Sequence, residues 1–223
     1  MGLLRLPPAS SLLPGIALFA LAILDISTLH VAAVADRALG DALARLHARE
    51  VAADRGIVVV DIDDRSLEAM AGDAFGVGRF PWPRAVYGEL VDEMRRQKAR
   101  AVVFDIELYE PDLVNPQSDA VLNEALRRTD NTYFPIKMLS RIARDEGVWL
   151  AKVAPGLGLA TRGTPDPAAR ATLELPFAID RSAWPRTGLI DFLPDADGVG
   201  RRYWMARDIG GYVIPSLPAR VAL

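Results

Sequence analysis

Three short apolar runs mark the chain, at Ile57–Val60, Ala101–Phe104 and Thr132–Met138. A continuous run rich in β-branched residues is typical of a strand that is buried on both faces, as in a parallel sheet. Pro135 interrupts the third run and predicts an edge strand or a bulge there. Between the first two runs, the segment Tyr87–Met94 has apolar residues at the i, i+3, i+4, i+7 spacing of an amphipathic helix. The order strand, helix, strand predicts a βαβ unit, in which both strands end at the same edge of the sheet.

Other stretches predict further elements around this unit. Leu39, Leu43 and Leu46 form an apolar stripe on a helix that we expect over Asp36–Asp54. The remaining predicted elements are a short helix capped by Asp64, a helix over Asp119–Arg128, a hairpin with strands Gly188–Leu193 and Arg201–Ala206, and a helix that begins at Ser216. The predicted fold class is therefore α/β, with a mixed, largely parallel sheet flanked by helices, an N-terminal transmembrane helix and a C-terminal β-hairpin.

The N-terminal segment is the most apolar part of the chain. Leu12–Leu24 is almost uninterrupted, but a membrane-spanning helix needs ~20 residues, so the segment must extend to Val34. We expect a cytoplasmic stub and an uncleaved transmembrane helix within residues 1–35, followed by the folded domain over 36–223. Two alternatives stay open: a cleaved signal peptide, for which Ala33–Ala35 has the small-x-small pattern, and a buried core helix. The first two interpretations both put the domain outside the cytoplasm.

Composition excludes several classes of function. The chain has 26 Lys and Arg against 29 Asp and Glu, and the two signs are interleaved, whereas a nucleic-acid-binding surface usually carries a clustered basic excess. It has no cysteine, which excludes disulfides, thiolate metal ligands and cysteine nucleophiles. His30 and His47 lie far apart in the sequence, so neither is predicted to ligate a metal. We therefore expect no nucleic-acid partner and no resident cofactor.

Carboxylates collect where two of the predicted strands end. Ligands of open α/β sheets bind outside the carboxyl ends of the strands, at the edge where these side chains are expected. Several unpaired carboxylates that converge favour a bound cation or an Arg partner. Together with two residues of the Pro81–Arg84 motif, these carboxylates form the predicted ligand-binding set: Asp61, Asp63, Asp64, Trp82, Arg84, Asp105 and Glu107.

Three interpretations of these carboxylates stay open. In the first, they cap helices and pair with Arg84 or Arg202. In the second, they bind a small molecule or a hard cation such as Mg²⁺ or Ca²⁺. In the third, the site resembles that of a haloacid-dehalogenase-like phosphatase, with Asp61 as nucleophile and Asp63 as general acid/base. Arg65 stands where that motif has a small hydroxyl residue, which argues against the third interpretation.

Four motifs, in this order and at this spacing, resemble the second type of CHASE extracellular sensory domain. They are Val59–Leu67, Pro81–Arg84, Val103–Ile106 and Asp195–Arg202, and the resemblance covers the chain from about Ala35 onwards. The resemblance implies a receptor of the bacterial inner membrane, with a sensor domain in the periplasm or outside the cell. It also implies an output module (a nucleotide cyclase, a kinase or a diguanylate cyclase) that is absent from this chain, and a sensor domain truncated at its C-terminal end. It implies no catalytic residue and identifies no ligand.

The sequence thus predicts the extracytoplasmic ligand-sensing domain of a bacterial transmembrane receptor, without enzyme activity of its own. The expected partners are a small-molecule or cation ligand, the membrane and a second copy of the chain in a homodimer. Two alternatives differ in class. One is an exported metal-dependent phosphatase, and the other is a dimerisation module that associates through Leu39, Leu43 and Leu46 and binds no small molecule.

Overall fold

The computed structural model describes residues 9–29, 31–72, 77–139 and 147–222. They form two compact units, one ending at Asp61 and one beginning at Ile62. Residues 1–8, which include most of the expected cytoplasmic stub, lie outside the described residues.

The first unit consists of two helices joined at a break. Helix α1 is Ala9–Leu24, a π-helical turn follows over Asp25–Leu29, and helix α2 is Val31–Glu50. The carboxylate of Asp25 accepts a hydrogen bond from the backbone N–H of Val31 at 2.7 Å, and so caps the first turn of α2. The acidic residue that closes the apolar run therefore starts a new helix.

The predicted transmembrane helix is not confirmed. No single helix among the described residues is long and apolar enough to cross a membrane. The segments Leu13–Ser27 and Val31–Glu50 meet the requirements of length and composition together, but they are bent by 72° at the break.

The first predicted strand is wrong. Residues 57–60 form no strand, and their side chains are 62–85% exposed. A β-branched run favours an extended backbone, but a strand also needs a neighbour that pairs with it, and none of the described residues pairs with this segment. The βαβ unit predicted from Ile57 to Phe104 is therefore wrong as well.

The central sheet of the second unit is built on the longest strand, β2, at Thr132–Met138. Strands β1 (Val102–Val103) and β7 (Thr187–Leu189) both pair with β2 in parallel, and β6 (Leu173–Glu174) pairs with its end in antiparallel register. The predicted strand at 132–138 is confirmed, and the one at 101–104 is confirmed in its centre. Pro135 lies opposite Gly188 in the ladder between β2 and β7.

Three helices of the second unit lie before β2 in the chain. They are α3 (Asp64–Ala71), α4 (Arg84–Arg96) and α5 (Pro116–Arg127). Because α5 connects the parallel strands β1 and β2, the βαβ unit lies one element later than the sequence predicted. Helices α4 and α5 pack closely at Gly88, where an added Cβ would lie 3.1 Å from the Cα of Leu122.

The remaining elements are short and follow β2 in the chain. They are β3 (Val148–Trp149), α6 (Leu150–Leu157), β4 (Ala160–Thr161), β5 (Arg170–Ala171), a 3₁₀ helix (Arg181–Arg186), β8 (Phe192–Leu193), β9 (Arg202–Tyr203), β10 (Ala206–Ile209), β11 (Tyr212–Pro215) and α7 (Leu217–Ala222). Strands β8 and β9 pair in antiparallel register over only two residues each, so the strand runs predicted at 188–193 and 201–206 are largely unpaired with each other. Instead, β7 joins the central sheet, and β10 pairs with β11.

The core lies between the central sheet and the helices on it. Phe104 at the end of β1 stacks on Phe134 of β2 with ring centroids 5.0 Å apart, and Tyr87 of α4 meets the edge of Phe104 at 6.1 Å. Leu122 of α5 and Ile136 of β2 are both buried. The sheet is thereby fixed against α4 and α5, which orients the ends of its parallel strands.

Candidate functional site

The carboxyl ends of three parallel strands meet at one edge of the central sheet. Strands β1, β2 and β7 run in the same direction, so the residues that follow β1 and β7 leave the sheet on the same side. Asp105 and Glu107 follow β1, and Asp191 follows β7. This is the edge at which ligands of open α/β sheets bind.

Asp191 is fixed by the backbone of the neighbouring strand. Its Oδ2 accepts a hydrogen bond from the N–H of Met138, the last residue of β2, at 2.8 Å. The N–H of Ile190 in turn donates to the carbonyl of Ile136 at 3.1 Å. The carboxylate therefore has a defined position at the sheet edge.

Lys137 provides a positive charge next to these carboxylates. Its Nζ lies 3.8 Å from Oε1 of Glu107, and both side chains are 40–44% exposed. Glu174 of β6 is the register partner of Lys137 across the strand pair. Because both side chains are partly exposed, their charges are accessible to a ligand, and an exposed pair at this separation contributes little to stability.

Two tyrosines lie among these charges. Burial raises the pKa of Tyr109, and the negative charges of Glu107, Glu174 and Asp191 raise it further. Burial likewise raises the pKa of Tyr203, with Asp191 and Asp105 adding to the effect. Both phenols therefore stay protonated and can donate hydrogen bonds at neutral pH.

We call this group the strand-end cluster, and it comprises Asp105, Glu107, Tyr109, Lys137, Glu174, Asp191 and Tyr203. Asp191 links its two parts, because its charge acts on both Tyr109 and Tyr203. The hydroxyl of Tyr203 donates to the carbonyl of Leu189 at 3.0 Å, which attaches β9 to the end of β7. The cluster offers negative charge and phenol groups, and so suits a ligand that carries positive charge and polar groups.

An open groove adjoins the cluster at Tyr203. It has a volume of about 390 Å³ and is lined by Phe192, Tyr203 and residues 200–202. The residues Phe192 and Tyr203 are 54% and 41% exposed. Exposed aromatic faces attract cations, so Phe192 and Tyr203 are the groove residues that favour a positively charged ligand.

The two arginines that line this groove are held by aspartates of the loop between β8 and β9. Arg201 lies 3.0 Å from Asp195 and 2.8 Å from Asp197, and Arg202 lies 2.6 Å from Asp195. Hydrogen bonds from Arg201 hold the pKa of Asp197 well below its ordinary range. These ion pairs stabilise the loop, and Arg202 pairs with Asp195 instead of with the strand-end carboxylates.

The predicted ligand-binding set is divided by the structure. Asp105 and Glu107 lie in the strand-end cluster, whereas Asp61 is the last residue of the first unit. Asp63, not Asp64, is the N-cap of α3: its Oδ1 accepts hydrogen bonds from the backbone N–H and the hydroxyl of Ser66. The hydroxyl hydrogen bond lowers the pKa of Asp63. The structural interpretation thus accounts for Asp63.

Trp82 and Arg84 lie at the start of α4. Arg84 donates to the carbonyl of Glu110 at 3.1 Å and lies 3.7 Å from Asp119 of α5. In the same region, the hydroxyl of Ser118 accepts the backbone N–H of Ala85 at 2.8 Å, so α5 caps α4. Trp82 is 7% exposed. These contacts explain the Pro81–Arg84 motif as a junction between two helices.

The ligand-binding set predicted from the sequence did not include five members of the cluster: Tyr109, Lys137, Glu174, Asp191 and Tyr203. Lys137 had a usable signal, because it is the one charged residue in the apolar run Thr132–Met138. The other four had none, since their common location depends on β6, β7 and β9 meeting at the end of β2.

No group of three or more His, Asp or Glu side chains in the described part of the chain could hold a metal ion. The cluster carboxylates are distributed around two phenols instead of converging on one point.

Comparison with known proteins identifies a family but no individual relative. The family model described as CHASE2 domain matches residues 16–223, which is most of the chain. No curated protein and no solved structure matches it.

Proposed function

The chain belongs to the CHASE2 domain family, and on that basis we propose that it senses an organic cation outside the cytoplasm for a membrane receptor. CHASE2 domains are extracellular sensory domains, so a sensory role follows from the family. The receptor itself, with an output module such as a nucleotide cyclase, a kinase or a diguanylate cyclase, is part of the proposal. The protein then resides in the bacterial inner membrane, with its sensor domain in the periplasm or outside the cell.

The observation that carries the ligand class is the group of carboxylates at the end of β2, where Glu107 lies 3.8 Å from Lys137, Glu174 is the register partner of Lys137 and Asp191 accepts the N–H of Met138. Glu107, Glu174 and Asp191 act on the phenol of Tyr109, and Asp191 and Asp105 act on that of Tyr203. An ammonium group would gain from these charges, and a hydroxyl or carbonyl of the same ligand would accept a hydrogen bond from the phenol of Tyr109, since the hydroxyl of Tyr203 already donates to the carbonyl of Leu189. Within the strand-end cluster as the structure describes it, Lys137 opposes the negative charge and is already paired with Glu107. The arginines of the groove, Arg201 and Arg202, are paired with aspartates.

The groove beside the cluster supports an organic ligand over an inorganic one. Phe192 and Tyr203 provide apolar and aromatic surface next to the carboxylates. The groove is open to solvent and has a volume of about 390 Å³, so it offers a surface for part of a small ligand. A ligand with a cationic head and a short apolar body would use both regions.

Binding alone does not make a signal. A ligand shifts a receptor only by the difference between its affinities for two conformations. The strand-end cluster joins residues from β1, β2, β6, β7 and β9, so a ligand held there contacts several segments that can shift against each other. A movement of these segments could be passed to a second copy of the chain, and we propose a homodimer that forms through the apolar stripe of α2.

The alternative phosphatase has little support in the described residues. Its nucleophile Asp61 would follow a central strand, but residues 57–60 form none. Its acid/base Asp63 is held in the N-cap of α3 by Ser66. The dimerisation module is a narrower form of the proposal, since it keeps the stripe of α2 and omits the ligand.

Thermal denaturation of the full chain in detergent tests the ligand class. We expect spermidine and choline to raise the melting temperature in a concentration-dependent manner, because a ligand at 100 times its Kd adds about 2.7 kcal/mol to stability. Mg²⁺ and Ca²⁺ at the same ionic strength serve as controls for general charge screening.

Two variants locate the binding. Asp191→Asn should remove most of the shift, whereas Glu89→Gln, at an exposed carboxylate of α4, should keep it. A shift with the divalent ions but not with the organic cations would contradict the proposed ligand class. An equal shift in both variants would contradict the proposed site.

A further inference from the structure

Helix α7 lies directly on strand β7, with no side chain between them. An added Cβ on Gly188 would lie 2.5 Å from the Cα and the backbone N of Leu217. The adjacent residues Leu189 and Ser216 form a parallel bridge. All four residues are buried. Because close-packed interiors leave no room for independent sliding, a shift of β7 displaces the first turn of α7 as well.

Arg220 strengthens this junction from the other end of α7. Its Nε donates to the carbonyl of Thr187 on β7 at 3.0 Å. Its Nη2 donates to the carbonyl of Leu157 at 2.9 Å, and its Nη1 to that of Gly158 at 3.3 Å. The last two carbonyls end helix α6, where a positive charge is favourable. One guanidinium therefore fastens α7 to a strand and to a neighbouring helix.

Strand β7 also reaches the strand-end cluster. Only Ile190 separates Leu189 from Asp191, whose carboxylate accepts the N–H of Met138. The hydroxyl of Tyr203 donates to the carbonyl of Leu189 itself. A three-residue strand thus has the cluster at one end and α7 packed along its length.

We propose that β7 and α7 form the transmission element of the sensor, so that a change of charge in the strand-end cluster displaces α7. The sensory role in this inference rests on the proposed function. The mechanical link between the strand-end cluster and α7 through β7 does not depend on it. Coupling of this kind is a free energy shared between two sites, and it is measurable without knowledge of the natural ligand.

Hydrogen exchange of the full chain in detergent, measured by mass spectrometry, tests the proposal. Neutralising the cluster by mutation imitates the effect of a bound cation. We expect Asp191→Asn to change the exchange rate of the amides in 217–222 at least threefold, and that of α5 hardly at all. Glu107→Gln gives a second neutral variant whose side chain makes no hydrogen bond to Met138, in case the first perturbs the sheet. Glu89→Gln serves as the matched control.

The variant Arg220→Lys distinguishes a change that β7 transmits to α7 from a non-specific destabilisation of the domain. Lysine keeps the charge but cannot make the three hydrogen bonds of the guanidinium. In this background, the same cluster mutations should change α7 exchange less than twofold. Exchange of α7 that stays at the wild-type rate in both neutral variants would overturn the inference. An equal response of α7 to the cluster mutations with and without Arg220→Lys would overturn it as well.

Spermidine distinguishes this inference from the proposed function. If spermidine binds and protects α7 in the wild type, both are supported. If spermidine and choline fail to bind while the neutral variants still alter α7, the ligand class is wrong and the transmission element stands. If spermidine binds without any change in α7, the sensor proposal stands and the transmission element is wrong.

Discussion

The carboxylate of Asp191 accepts a hydrogen bond from the backbone N–H of Met138 at 2.8 Å across 53 residues of sequence. This bond joins the residue that follows β7 to the last residue of β2. It fixes the one carboxylate whose charge acts on both tyrosines of the strand-end cluster. The position of the candidate site and the order of the sheet therefore depend on the same contact.

Replacement of Asp191 should separate its structural role from its charge. Asp191→Ala leaves the N–H of Met138 without an acceptor, and we expect a loss of about 1–3 kcal/mol in the free energy of unfolding. Asp191→Asn keeps an oxygen acceptor and should cost less than half as much. Denaturant titration of the full chain in detergent measures both. Equal losses in the two variants would mean that the hydrogen bond is not the main contribution of this residue.

Gly188→Ala should be one of the most disruptive small substitutions in the second unit. The new Cβ would lie 2.5 Å from the backbone of Leu217, so β7 and α7 must separate, at a cost of about 1–3 kcal/mol. Gly156→Ala is the matched control. Its Cβ would meet only the ring of Trp184 at 3.7 Å, and alanine in helix α6 should be neutral or stabilising by up to about 1 kcal/mol. Denaturant titration should rank the two variants in this order.

The stability of the second unit should depend on Asp180 in acid. The backbone N–H and the hydroxyl of Ser182, together with Arg127, lower the pKa of Asp180 to about 2. A carboxyl with a lowered pKa in the folded state stabilises the protein above its unfolded pKa of about 4, and this contribution is lost as the pH falls towards 2. The difference in melting temperature between the wild type and Asp180→Asn should therefore be largest above pH 4 and shrink below it. A difference that grows on acidification would contradict this assignment.

Arg201 and Arg202 offer a matched pair of conservative substitutions. Arg201 bridges Asp195 and Asp197 and is 19% exposed, whereas Arg202 is 82% exposed and, among the described residues, forms an ion pair with Asp195. Arg201→Lys cannot span both carboxylates and should speed hydrogen exchange across 192–203 severalfold. Arg202→Lys should leave that exchange near the wild-type rate, because an exposed ion pair contributes little. If the two variants behave alike, the loop does not depend on the Arg201 bridge.

The proposed homodimer predicts a specific effect on α2. Leu39, Leu43 and Leu46 lie on one side of this helix and are 55–60% exposed. Leu43→Asp should shift the chain from dimer to monomer in analytical ultracentrifugation in detergent, because it introduces a charge into the apolar contact. Ala48→Asp, on the opposite side of α2, should leave the dimer intact. A monomeric wild type, or a dimer that tolerates Leu43→Asp, would contradict this interface.

Local sequence patterns predicted single elements well. The run Thr132–Met138 is a strand over its full predicted length, and the stripe between Tyr87 and Met94 is part of α4. Helix α5 begins three residues before its predicted start, because Pro116 can occupy a first helical turn. These features depend on periodicity and on the residues at the element ends, which lie within a few positions of each other.

Pairing between distant segments was not predictable in the same way. The run at 57–60 has as strong a strand signal as Thr132–Met138, but no strand in the described part of the chain pairs with it. The run Gly188–Leu193 predicts one strand of a hairpin, whereas its first two residues join the parallel sheet beside β2. A strand pattern in the sequence is a property of one segment, whereas a β-ladder needs two segments that pair, and the pattern does not identify the second.

The sequence by itself determined the family, the α/β class, the acidic ends after the strand at 101–104, and the apolar stripe of α2. The tertiary structure alone decided that Asp105 and Glu107 lie near Glu174 and Asp191 at the end of β2. The physical reason is the range of the interactions involved. Periodicity, capping and composition act within a few residues, whereas the charge around a buried phenol is set by segments that only the folded sheet brings together.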